Sequence, residues 1–163
     1  MEALAVIVTV IVAVVIVGLF LAVSARAAPT PSHWPLRARP YEGMVREAAR
    51  RYGVDPALVA AVCETESNWD PSAVNPSDPS YGIMQVMIPT AREVRPGTTQ
   101  SELLDPAVGI MVGTAYIARL RDHYRIPMPD GIDAYNIGPG AWKTGRRNIR
   151  YRALVLDAMG RYS

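Results

Sequence analysis

Asp55-Pro-Ala-Leu-Val-Ala-Ala-Val-Cys-Glu-Thr-Glu-Ser67 reads as one helix with its opening and its chemically active end both marked. Asp55 offers an N-cap oxygen, and Pro56 takes the first helical position, where a missing N–H costs nothing. Ala, Leu and Val carry the turns that follow. At about 100° per residue, Leu58, Val59, Val62, Cys63 and Glu66 fan across an arc of roughly 140°. Glu66 falls in the middle of that apolar arc, and Glu64 points nearly the opposite way, toward Ala57 and Ala60. A carboxyl held against apolar neighbours has its pKa raised, because desolvation disfavours the charged form. A general acid working near neutral pH requires that shift. Taken alone, the stretch is more readily read as an ordinary helix-end Glu that reaches water.

N-terminal to this helix the composition changes twice. Apolar residues make up 50% of the 163-residue chain, and much of the excess sits between Leu4 and Val23, a run without a charged side chain. About twenty such residues form a helix of roughly 30 Å, long enough to cross a bilayer. Ser24-Ala-Arg-Ala-Ala28 then resembles the cleavage site of a secretory signal. Such a signal has a shorter apolar region and a basic front end, whereas this chain starts Met1-Glu2, so a retained anchor is the preferred reading of residues 1–28. Basic residues follow the run (Arg26, Arg37, Arg39) and none precedes it. By the positive-inside rule that keeps the rest of the chain in the cytoplasm. Four prolines between Pro29 and Pro40 predict an extended spacer over 29–40, with Trp34 at the membrane–water boundary and no chemical role for His33.

Residues 41–163 are long enough for one real core. Helical spacing predicts a mainly α domain, with helices over 41–52, 56–67, 89–94, 106–124, 130–136 and 149–162. The helix after Asp105-Pro106 is apolar on most sides and is expected to be central. Asn68 to Ser80 reads as a loop, and Tyr81 to Ile88 as a small hairpin or buried turn. Cys63 is the only cysteine, which excludes an internal disulfide and predicts an inert buried thiol. The net charge is only +2, but Lys143, Arg146, Arg147, Arg150, Arg152 and Arg161 face Asp157 alone at the C-terminal end. This is either a solvated helix face or a contact for an anionic polymer or lipid surface. No phosphate-binding glycine loop, metal-spaced His/Cys cluster or Ser-His-Asp arrangement is present, and no nucleic-acid partner is expected.

Four blocks then occur in order over about 100 residues. Glu66-Ser67 closes the helix opened by Val54-Asp55-Pro56. Ala73-Val74-Asn75 leads to Tyr81-Gly82-Ile83-Met84-Gln85. Asp105-Pro106 precedes Gly113, Tyr116 and Ile117. Ala134-Tyr135-Asn136-Ile137-Gly138-Pro139-Gly140 is the last. Together they resemble the lytic transglycosylase family, whose catalytic domain is similar to goose-type lysozyme. The resemblance implies a lysozyme-like α+β fold, with a small hairpin or irregular lobe flanking a cleft. It also implies cleavage of the β-1,4 bond between N-acetylmuramic acid and N-acetylglucosamine in peptidoglycan, without metal or cofactor. Glu66 would be the acid/base. Ser67, Tyr81, Met84 and Gln85 would line the groove, Tyr135 would hydrogen-bond near the Glu66 carboxyl, and Asn136 would contact sugar or hold its loop. The implied partners are a peptidoglycan strand and, through residues 4–23, a membrane, with the domain on the wall-facing side. This placement conflicts with the charge rule above.

Two positions depart from the family pattern. Gly109 stands where the family has Asn and weakens its helix by about 1 kcal/mol relative to Ala. Ile88 stands where the family has proline, with Pro89 one position later. Two other readings remain at this level: a goose-type hydrolase using Asp70 or Asp78 to position water, and a scaffold that binds glycan without cleaving it. Wall remodelling, a secretion machine and a bacteriophage are all compatible settings.

Overall fold

The computed structural model describes residues 32–163, and His33 to Ser163 form one compact unit. The apolar run at 4–23 lies outside the described residues, and so does most of the stretch read as anchor or signal and as spacer. Among the described residues no helix is long and apolar enough to cross a membrane.

The unit is mainly helical, with α1 at Glu42–Tyr52 and α2 at Pro56–Ser67. A three-stranded antiparallel sheet follows, with β1 at Val74–Asn75, β2 at Ser80–Tyr81 and β3 at Val86–Met87. Then come α3 (Ile88–Val94), α4 (Gln100–Leu103), α5 (Pro106–Asp122), α6 (Asp130–Ile137), α7 (Pro139–Lys143) and α8 (Ile149–Met159).

The predicted caps form. Asp55 accepts from the Ala57 N–H at 2.8 Å, and Asp105 accepts from those of Ala107 and Val108. Every residue from Ala57 to Cys63 is buried, so α2 is covered on all sides. It packs on α8, α1 and α5, and its alanines let those neighbours approach closely. The long helix α5 is buried over most of its length and packs on α1, α3, α4 and α6. Two helical centres therefore stand where the sequence singled out one.

β1 pairs with β2 (Val74 opposite Tyr81) and β2 with β3 (Tyr81 opposite Val86). The expected hairpin is thus part of a three-stranded lobe whose first strand lies inside the expected loop. Gly82 turns the chain there with φ +74°, and a Cβ at that position would stand 2.0 Å from the Leu103 carbonyl oxygen. Only glycine satisfies both conditions. Gly109 has a steric reason as well, since a Cβ would sit 2.9 Å from that same oxygen. The helical cost of that glycine is thus set against close packing of α4 on α5. The sequence reading overlooked α4, which Thr99 and Glu102 open with a reciprocal capping box.

The spacer expected over 29–40 is corrected from His33 onward. Trp34 and Ala38 are fully buried, and Arg39–Tyr41 forms a 3-10 turn leading into α1. Trp34 packs edge-on against Tyr162 with ring centroids 5.0 Å apart, and Tyr41 stacks on Trp69 at 5.7 Å. Proline density predicted extension, but the chain turns over 36–38 and enters the 3-10 segment, and aromatic burial holds it on the core. Trp34 is therefore a core residue and no boundary anchor.

Candidate active site

The last turn of α2 carries Glu66 to the mouth of a cleft of about 200 Å³. The helix ends at once, because Asn68 and Trp69 both adopt left-handed backbone, and the Asn68 N–H returns to the Cys63 and Glu64 carbonyls. One wall of the cleft comes from the sheet lobe through Asn75, Asp78, Ser80, Gln85 and Met87. The other comes from Thr90 on α3, Tyr116 on α5, and Tyr135 and Asn136 on α6.

Glu66 is half-buried, and its carboxyl accepts a hydrogen bond from the Tyr151 hydroxyl at 2.5 Å. Burial raises its pKa from 4.5 to about 7, against the opposing pull of that hydrogen bond. Tyr135 and Tyr151 are held protonated, first by burial and then by the Glu66 charge. Burial likewise pushes the Cys63 thiol up, so it is inert as expected.

The tyrosine expected to bond near Glu66 is corrected. The Tyr135 hydroxyl lines the same cleft but donates to the Met84 carbonyl at 2.8 Å, and Tyr151 on α8 takes the carboxyl instead. The sequence marked the helix that carries Tyr151. Its inward stripe of Tyr151, Val155 and Ala158 is visible in the sequence, but nothing local says which carboxylate the hydroxyl meets.

Of the other predicted residues, Gln85 and Asn136 share the cleft with Glu66 and Tyr135, whereas Ser67, Tyr81 and Met84 are not among its lining residues. The Met84 side chain is fully buried over Gly113, where a Cβ would come within 2.5 Å of its sulfur. Expected as groove floor, Met84 is a core residue that contributes its carbonyl. Ser67 donates to the Ile83 carbonyl at 2.9 Å, which ties the end of α2 to the Gly82–Gln85 turn. Tyr81 packs half-buried against the core. Gln85 spends both amide hydrogens on the Ala73 and Gly82 carbonyls and accepts from the Ser80 hydroxyl, so it braces the lobe.

A buried ionic joint sets the position of Tyr151. Asp133, fully buried on α6, pairs with Arg152 on α8, and Arg152 also reaches Asp130 at 2.9 Å. Asn148 caps α8 by accepting from the Tyr151 N–H, while its own N–H donates to Asp133. Its amide donates to Asn136 at 2.8 Å. One joint thus fixes Tyr151 against Glu66 and Asn136 at the cleft. The sequence placed Arg152 among surface cations and missed it.

The sequence family described as "Transglycosylase SLT domain" matches residues 43–153, which contain Glu66, the sheet lobe, the cleft and Tyr151. The chain belongs to the transglycosylase SLT family. This member is 43% identical over 129 residues to a curated relative, membrane-bound lytic murein transglycosylase C of Shigella sonnei (strain Ss046). That match covers 68% of this chain and 34% of the relative, so the chain spans about a third of the relative's length. The SLT member also superposes on the 70 kDa soluble lytic transglycosylase Slt70 of Escherichia coli with a TM-score of 0.58 at 25% identity, covering 75% of this chain and 22% of that one. An inactive mutant of the lytic transglycosylase Slt from Pseudomonas aeruginosa gives the same TM-score at 22% identity and shares the fold.

Proposed function

We propose that this SLT domain cleaves the β-1,4 bond between N-acetylmuramic acid and N-acetylglucosamine in peptidoglycan, with Glu66 as its only acid/base. The observation that carries the reading is the Glu66 carboxyl, half-buried at the cleft, with its pKa raised to about 7 and a tyrosine hydroxyl fixed on it. Near neutral pH such a group exists in both forms, which suits one residue that must first give a proton and then take one. Glu66 donates its proton to the glycosidic oxygen as the C1–O bond breaks, leaving an oxocarbenium-like muramoyl ring. The C6 hydroxyl of that ring then attacks C1 and loses its proton to the Glu66 carboxylate. The product is a 1,6-anhydro end, and the enzyme is returned protonated. No water enters the balance, so the second carboxylate usual in glycoside hydrolysis is not required. Tyr151 holds the carboxyl in place through both halves.

Hydrolysis is the second reading, and one observation favours it: Asp78 lines the same cleft as Glu66. Asp70 does not line it, and its carboxylate is taken by the Ser72 N–H and hydroxyl. Mass spectrometry of fragments released from purified peptidoglycan separates the two. Anhydro-muropeptides are expected, and predominantly reducing ends would transfer the role of nucleophile to a water held by Asp78. Glu66→Gln is expected to lower turnover by about 10²–10⁴-fold with the fold intact. Unchanged cleavage by that variant would overturn the assignment. A membrane-bound relative and the apolar run at 4–23 together support an anchored chain with this domain on the wall-facing side.

A further inference from the structure

Helix α8 carries two apolar stripes. Tyr151, Val155 and Ala158 face the core, and Ile149, Ala153 and Leu156 repeat the same spacing on the opposite side, in solvent. Ile149 is 72% exposed and Leu156 45%. At about 100° per residue these three fall within an arc of roughly 60°, along about 10 Å of helix. The turn that leads into α8 is basic. Arg146 and Arg150 are exposed and have no ion-pair partner among the described residues. Lys143 lies over the Tyr124 ring and Arg147 over the Trp142 ring. The one carboxylate on this side of α8, Asp157, is paired with Arg161 at 2.8 Å. An aliphatic stripe bordered by unpaired cations is poorly suited to a hydroxyl-rich glycan, which offers little apolar surface for isoleucine and leucine to bury against. A phospholipid surface of net negative charge offers both phosphate for the arginines and acyl chain for the stripe.

We propose that the outward face of α8 and the basic turn before it form a docking surface for an anionic phospholipid bilayer. This surface is separate from the cleft and does not depend on the reading of Glu66. It also fits the sequence, in which a membrane-length apolar run ends at Val23, ten positions before the compact unit begins at His33. The contact would hold α8, and with it Tyr151, against a plane, while the cleft on the other side of that helix stays free for substrate.

The test uses the full chain reconstituted into vesicles of phosphatidylcholine alone or with one third phosphatidylglycerol. An environment-sensitive NBD fluorophore is attached at Leu156→Cys, the native Cys63 being buried and unreactive. A second sample carries the label at Ser77→Cys in the sheet lobe as an aqueous control. At position 156 the emission is expected to shift to the blue and resist an aqueous quencher on the anionic vesicles only. Position 77 is expected to stay aqueous on both. Arg146→Glu with Arg150→Glu, checked for an unchanged melting curve, is expected to weaken that protection on the order of tenfold. Salt at 0.5 M is expected to weaken it as well. Equal exposure of position 156 on the two vesicle types, or protection that survives the double charge reversal, overturns the proposal. Protection given by purified peptidoglycan instead of by anionic vesicles assigns the face to the wall polymer and overturns it too.

Discussion

Glu64 and Glu66 leave one turn of α2 in nearly opposite directions and meet opposite surroundings. Glu64 turns toward the C-terminal end of the chain, where the Tyr162 hydroxyl and Arg161, at 2.8 Å, both bind it. Tyr162 in turn accepts from the Trp69 indole at 2.9 Å and packs on Trp34. Both oxygens of that carboxylate are bonded inside the fold, so it joins the α2 helix to the aromatic cluster. Glu66 turns toward the cleft and, among the described residues, has one hydrogen-bond partner, Tyr151, with no cation paired to it. The lesson is that burial alone does not make a catalytic acid. A carboxyl matched by cation and hydroxyl is structural, and one that is desolvated and left one partner short is available for a proton.

The largest test of that contrast is the pH dependence of stability. Below about pH 4.5 Glu66 is protonated whether the chain is folded or unfolded, so it costs the fold nothing. Between about 4.5 and about 7 the unfolded chain ionises while the folded one keeps its proton, and stability falls. Above about 7 both are ionised, and the full penalty stands at about 3 kcal/mol. Glu66→Gln removes the penalty. Its melting temperature is therefore expected to exceed that of the parent at pH 8 and to match it near pH 4. Equal differences at both pH values would mean that Glu66 is not desolvated.

Glu64→Gln is the converse experiment. It takes the charge from Arg161 and Tyr162 and is expected to cost about 1–3 kcal/mol by chemical denaturation. Turnover well below the melting temperature is expected to stay within about threefold of the parent. A loss like that expected for Glu66→Gln would show that the two carboxylates act together.

Tyr151→Phe has the smallest expected effect and refines the account of Glu66. The hydrogen bond from Tyr151 opposes the rise in the Glu66 pKa, so its removal moves that pKa further up. The alkaline limb of kcat/KM, expected near pH 7 in the parent, should move to higher pH. The maximum should drop about tenfold as the carboxyl loses its orientation. An unmoved limb with lowered activity would leave Tyr151 a purely structural role.

Much of the fold was legible because it is written in local signals. Asp55-Pro56 and Asp105-Pro106 open α2 and α5 as read, and apolar spacing together with proline and glycine boundaries located the six longer helices. The short α4 and α7 carry too few residues for a period to show. At the site, Glu66 was legible from its place in an apolar arc, and Tyr135, Gln85 and Asn136 do reach its cleft. Met84 was misplaced because a methionine next to a cleft-lining glutamine gives no sign of which way it turns. Only Gly113, some thirty residues later, opens the notch that buries it.

By itself the sequence determined where helices start and that Glu66 stands among apolar residues at the end of α2, because each depends on neighbours a few positions away. Only tertiary structure decided that Trp34 belongs to the core, that Glu64 is structural, and that Tyr151 holds Glu66. Each of those contacts joins residues tens of positions apart. Which hydroxyl meets which carboxylate is set by helix packing and by the buried Asp133–Arg152 joint, and no local pattern encodes it.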